Sequence, residues 1–209
     1  MMQISLSFNE VQSSARKAAA GAGLAYGVAE DIGIAAAWLS ARGIDGIAAT
    51  IRAVETVSPD RRKDIAPASA TRVAIEGLAA IDTLCAGKTG DSIVLDRVDA
   101  PALLAGLAGV AAANLGLAIQ LTFPNGQNLL LPHARDIAAA LDGALEIDIS
   151  LMCLGEIGNN PADQSLPARP HACDEIAYRK AMRLAARTHV PASEASRNRG
   201  AGTSKTDND

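Results

Sequence analysis

The stretch from Ser92 to Leu131, SIVLDRVDAPALLAGLAGVAAANLGLAIQLTFPNGQNLLL, decides the fold class. Ser92–Val98 is β-rich, which predicts a strand. Pro101 suits the first turn of a helix, and the Ala/Leu-rich run behind it predicts that helix to about Ala113. Leu117–Phe123 then reads as a strand. Pro124-Asn125-Gly126-Gln127 carries the Asn-Gly signal of a hairpin, and Asn128–Leu131 is the return strand, stopped by Pro132. From Ala100 to Ala134 no Asp, Glu, Lys or Arg interrupts the sequence. A membrane span is not expected there. The segment is mostly Ala and Gly, which insert weakly, Asn114 and Gln120 break it, and Leu115-Gly116 reads as a helix end. A buried helix followed by a buried strand accounts for it.

Toward the C-terminus, Ala134–Leu141 predicts a short helix ending near Gly143, and Ala144–Leu151 (ALEIDISL) alternates as a half-buried strand does. Gly155–Pro170 is rich in Gly, Asn and Pro and reads as a long exposed loop. Asp174–Thr188 predicts a last amphipathic helix carrying Ile176, Met182 and Leu184. Toward the N-terminus, Ser7-Phe8-Asn9-Glu10 is a capping box, so a helix follows with Val11, Ala15, Ala18 and Ala22 on one face and Gly23 at its end. Val28, Ile32, Ala35, Ala36 and Leu39 make a second helical stripe, stopped at Gly43. Ile44, Ile47, Ile51 and Val54 make a third, closed by Ser58-Pro59. Residues 58–67, SPDRRKDIAP, read as a charged surface loop. A helix over about Ala70–Ala86 follows. The fold class is α+β: an N-terminal helical unit at 1–58, then an α/β unit at 68–190 with a small mixed sheet and packed helices, joined as one domain, then a polar tail at 191–209.

The 209 residues are enough to bury a real core without staples. Aromatic residues make up 2%, so that core must be Ala, Leu, Ile and Val. The net charge is −4, and no basic stripe with stacking rings is present, so nucleic acid is not an expected partner. Cys85, Cys153 and Cys173 form no disulfide framework. The start, MMQISLSFNEV, has neither the basic region nor the apolar run of a signal peptide, which predicts a reducing cytoplasm.

Motifs that carry chemistry are scarce. Gly21-Ala22-Gly23 with Gly27 has the wrong spacing for a dinucleotide loop and follows a helix, so it reads as a helix–helix turn. Gly87-Lys88-Thr89 has Asp82 where a phosphate loop needs its first Gly. His171, Cys173 and Asp174 crowd together, but no second Cys or His stands at a finger-like spacing, so no metal is expected. No nucleophile elbow exists, and His133, His171 and His189 are paired with no nucleophile. The catalytic residues are therefore unknown, and no cofactor is expected.

The segment SFNEVQSSARKAAAGAGLAYGVAEDIGIAAAWLSARGIDG (7–46) resembles the opening of a family of uncharacterised bacterial proteins, a domain of unknown function. The ending THVPASEASRNRGAGTSKTDND (188–209) is similar to that family's ending, so the resemblance spans the chain. It implies no activity and no functional residue. AGAGLAYGVAEDIGIAAAWLSARGIDGIAATIRAV (20–54) is also similar to the N-terminal helices of malate/L-lactate dehydrogenases of the non-Rossmann type. In those enzymes a Ser-His pair follows; here Arg42-Gly43-Ile44-Asp45 runs directly into Gly46-Ile47.

Two functional readings stay open. One is a small cytoplasmic metabolic enzyme or ligand-binding protein acting on a polar anionic metabolite. Its candidate site is the start of the tail: His189, with Ser193, Ser196 and Arg197, where a guanidinium fork and hydroxyls match carboxylate or phosphate. The other is a non-catalytic assembly subunit. A homodimer is expected from the Ala/Leu-rich, low-aromatic surface.

Overall fold

The computed structural model describes residues 2–57, 71–134, 137–141, 147–157 and 169–188. Among them Ser7 and Glu10 form the full capping box: Glu10 N–H donates to Ser7 Oγ at 3.3 Å and Ser7 N–H to Glu10 Oε2 at 2.7 Å. That second bond holds the exposed Glu10 carboxyl below its ordinary range. Helix α1 (Phe8–Gly21) follows, burying Val11, Ala15, Ala18 and Ala19. Helix α2 (Tyr26–Ser40) buries Ile32, Ala35, Ala36 and Leu39, and Gly43 turns the chain at φ +81°. Helix α3 (Gly46–Glu55) is capped by Asp45, whose Oδ1 accepts from Ala48 N–H at 2.9 Å. The three helical stripes of the N-terminal sequence are thus three helices.

The helices approach one another closely at glycines. A Cβ at Gly46 would collide with the Ala36 carbonyl of α2, and one at Gly109 with the Trp38 ring. The helix expected over about 70–86 is split into a π-helical turn at Val73–Gly77 and helix α4 (Leu78–Ala86). Helix α5 (Pro101–Leu115) buries nine of its residues and is capped by Gly116 at φ +66°. It lies between α2 on one side and the sheet on the other. With 15 residues it is too short to span a bilayer; among the described residues no helix is long and apolar enough to cross a membrane.

The main sheet has the order β2-β5-β3-β4, with β2 Ser92–Val98, β3 Leu117–Thr122, β4 Asn128–Leu131 and β5 Ile147–Glu156. It was expected to be mixed, and every pair in it is antiparallel. The reason is the place of β5. Strands β2 and β3, joined by α5, run parallel, but β5 returns between them and is antiparallel to both, a split β-α-β arrangement. Strand β5 runs to Glu156, past the expected end at Leu151, because β3 continues to pair with it there, Ala118 against Gly155 and Leu117 against Glu156, with Gly155 at φ +99° at the irregularity. The hairpin between β3 and β4 is wider than a two-residue Asn-Gly turn. Phe123 N–H donates to Gln127 O at 2.9 Å, and Gly126 has positive φ whereas Asn125 does not, so Pro124-Asn125-Gly126 is a three-residue loop.

One face of the sheet (Ile93, Leu95, Ile119, Leu121, Leu129, Leu131, Ile149, Leu151) packs toward the helices. The other carries two rows across all four strands: Val94, Ser150, Thr122, Asn128 and Ser92, Met152, Gln120, Leu130. No residue in either row is charged. A second sheet, absent from the sequence reading, pairs β1 (Gln3–Ile4) with β6 (Cys173–Asp174). Two-residue strands leave no periodic signal.

The last helix, α7 (Glu175–Ala185), extended by a 3₁₀ turn at Ala186–Thr188, packs against α1 and α3. Its buried residues are Ala177, Ala181 and Ala185. Ile176, expected on its apolar face, is 64% exposed. Gly21 of α1 lies so close to the Leu184 carbonyl that a Cβ would overlap it. Short helix α6 is Ile137–Leu141. The tail at 191–209 lies outside the described residues.

Gly46→Ala must push α3 off α2, and the expected loss is about 2–4 kcal/mol, at or above the usual cost of overpacking. Gly27→Ala, with nothing within 4 Å of the added carbon, should be neutral or stabilising by up to ~1 kcal/mol. Urea denaturation of the two variants beside the parent checks both.

Candidate functional site

Helices α3 and α7 run side by side with their N-termini together. Asp45, the cap of α3, also accepts from Asp174 N–H through Oδ2 at 2.7 Å. Asp174 in turn caps α7, its Oδ1 accepting from Ile176 N–H at 2.6 Å and Ala177 N–H at 3.1 Å. Farther along, Lys180 Nζ meets Glu55 Oε1 at 2.7 Å. The two helices are thus tied near both ends. Between the ties the facing side chains are small, chiefly Ala48, Ala49 and Ala177, and they leave a groove of about 540 Å³. Ile44, Ile51 and Ile176 add apolar wall, and Pro101 and Ala102 close the side at the start of α5.

The polar groups of the groove are mostly committed inside the fold. Arg52 Nε donates to the Asp99 carbonyl at 2.8 Å, Lys180 and Glu55 hold each other, and Asp45 holds two backbone amides. One atom differs: Asp174 Oδ2 is buried and has no hydrogen-bond partner. An unmatched buried acceptor of this kind costs about 1–3 kcal/mol.

Cys173 lies beneath the same end. Burial, then the charge and hydrogen bond of Asp45, then the charge of Asp174, push its thiol up to about 12. Burial and the nearby Cys153 and Asp82 also raise the Cys85 thiol. A thiol held protonated is a poor nucleophile and a poor metal ligand. His171 is exposed, and its backbone N–H donates to Ser40 O at 2.8 Å. Among the described residues no group of three His, Cys, Asp or Glu side chains could hold a metal ion. Around the Glu30-Asp31 pair, Arg16 meets Glu30 at 3.5 Å, and burial, then Asp82 and Glu30, raise the Asp31 carboxyl.

The site residues expected from sequence, His189, Ser193, Ser196 and Arg197, lie outside the described residues. The groove was not found from the sequence. Its one local signal was Asp45, an N-cap residue directly before the apolar stripe of α3. Asp174 stands at the start of the stretch that predicts the last helix. That the two caps would meet required residues 129 positions apart to come together.

These features define a helix-rich α+β protein with an apolar interhelical groove. Residues 6–83, which run from α1 into α4, match the family model described as a protein of unknown function (DUF3726). No curated protein and no solved structure matches the chain.

Asp45→Ala removes two amide partners and should cost about 2–3 kcal/mol, as charged hydrogen bonds do. Asp174→Ser keeps a capping oxygen and deletes the unmatched one, so its cost should stay under ~1 kcal/mol. Urea midpoints of both variants test this order, and the reverse order would contradict the assigned roles.

Proposed function

We propose that the chain is a ligand-binding protein and that the groove between α3, α5 and α7 takes a small molecule with an aliphatic body and a hydrogen-bond donor. The observation that carries this reading is the groove itself: its volume falls in the range of ligand pockets, its walls are apolar, and Asp174, one of the residues that line it, has a buried oxygen, Oδ2, with no partner. A hydroxyl or amine would supply what that oxygen lacks. Two carboxylates at the groove's end favour a donor over the anionic metabolite expected from the tail residues, and the tail residues themselves lie outside the described region. The protonated Cys173 thiol favours binding over covalent chemistry at this end of the molecule.

A second reading, an assembly subunit, has its own observation in the two uncharged rows on the outer face of the sheet, where Val94 is 66% exposed. A second copy is the favoured occupant, because the two rows carry no charge to repel their own image. The two rows cover roughly 300 Å² by strand spacing, short of the ~800 Å² per partner of a stable interface. The dimer therefore ranks second. Light scattering at the monomer mass of 21.4 kDa across the accessible concentration range would remove it.

The groove reading is tested by amide chemical-shift mapping with short-chain aliphatic alcohols, amines and carboxylates. Alcohols or amines should perturb Ala48, Ile176 and Ala177. Ala48→Phe, filling the groove from a half-buried wall position, should weaken them at least tenfold with the melting temperature unchanged. Perturbations that map elsewhere, or that survive Ala48→Phe, would sink the reading.

A further inference from the structure

Asp99 sits in the short link between β2 and α5 and is 6% exposed. Three segments meet on it. From α3, Thr56 Oγ1 lies 2.6 Å from Asp99 Oδ2, and Arg52 Nε donates to the Asp99 carbonyl at 2.8 Å. From the π-helical turn, Val73 N–H donates to Oδ1 at 3.0 Å. From the segment before that turn, Thr71 O accepts from Asp99 N–H at 3.1 Å.

The geometry at Thr56 constrains the proton. Its Oγ1 is also 2.8 Å from the Ala53 carbonyl oxygen. A hydroxyl has one hydrogen to give, and both neighbours accept if Asp99 is ionised. One of the two contacts would then be oxygen against oxygen with no hydrogen between them. A proton on Asp99 Oδ2 resolves this. The acid donates to Thr56 Oγ1, Thr56 donates to Ala53 O, and Oδ1 still accepts from Val73. Every group is then matched, and both distances are ordinary for O–H···O bonds.

We infer that Asp99 is a proton-dependent latch: in the folded chain it keeps its proton at pH values where exposed carboxylates have lost theirs, and its ionisation loosens the junction of α3, the π-helical turn and α5. Among the described residues, Arg52 and Glu76 are the charged groups that face it. Burial raises the Asp99 carboxyl most, and Glu76 adds to that; the Thr56 and Val73 hydrogen bonds and the Arg52 charge oppose it, and the net direction is upward from 3.8. A folded value above the unfolded one means that the latch contributes fully below 3.8 and is lost as pH rises through the folded value. Arg52, Pro101 and Ala102 also line the groove, but the latch does not depend on the groove being a binding site.

The test is a carboxyl ¹³C titration of the full chain, together with urea denaturation of Asp99→Asn. Asparagine copies the protonated acid, with Oδ1 for Val73 and an N–H for Thr56. The Asp99 midpoint should lie above 3.8. At neutral pH the Asn variant should match or exceed the parent's urea midpoint, and its advantage should shrink as the pH is lowered. A carboxyl midpoint at or below 3.8 overturns the latch, whether or not the variant folds. An Asn variant less stable than the parent at neutral pH overturns it as well.

Discussion

Close backbone approach between helices is the constraint on which the rest of the structure depends. With 2% aromatic residues, the chain has few large side chains to span wide gaps. Its helices therefore meet through Ala and Gly. The contact faces of α1, α2 and α7 are largely alanine, and Gly21, Gly46 and Gly109 sit where even a methyl group would strike a neighbour. Each small residue buries little area, so attraction comes from many short contacts at high density. Such packing has little tolerance, because backbone cannot turn aside as a side chain can.

The same constraint makes the groove. Where α3 and α7 face each other with alanines but are tied apart at Asp45–Asp174 and Lys180–Glu55, small side chains cannot fill the space between. Packing is tight where glycine lets backbones touch and hollow where end ties set the distance. The ties also bring the C-terminal helix onto the N-terminal helices, supported by the β1–β6 pair.

The polar economy of the interior follows a related rule. Buried polar groups must be matched, and here they are matched at the seams: Ser40 Oγ takes the Gly46 amide, Asp45 joins two helix starts, and Asp99 joins α3 to the segments around α5. Asp174 Oδ2 departs from the rule, and Asp174 is one of the residues that line the groove.

Much of the fold was legible in order along the chain. The capping box, the three helical stripes, Pro101 at the start of α5 and the β3–β4 hairpin each rest on neighbours within a few residues, where periodicity and capping chemistry act. The α+β class follows from them. Long-range pairing decided the remainder. Nothing local places β5 between β2 and β3, which turned an expected mixed sheet antiparallel and lengthened β5. Nothing local pairs Gln3–Ile4 with Cys173–Asp174, turns Ile176 outward, or sets Asp45 against Asp174. The sequence by itself determined the elements and their apolar faces, because those depend on spacing within one helix or strand. Only the tertiary structure decided the groove and the Asp99 junction, because each is assembled from segments whose separation in sequence carries no period.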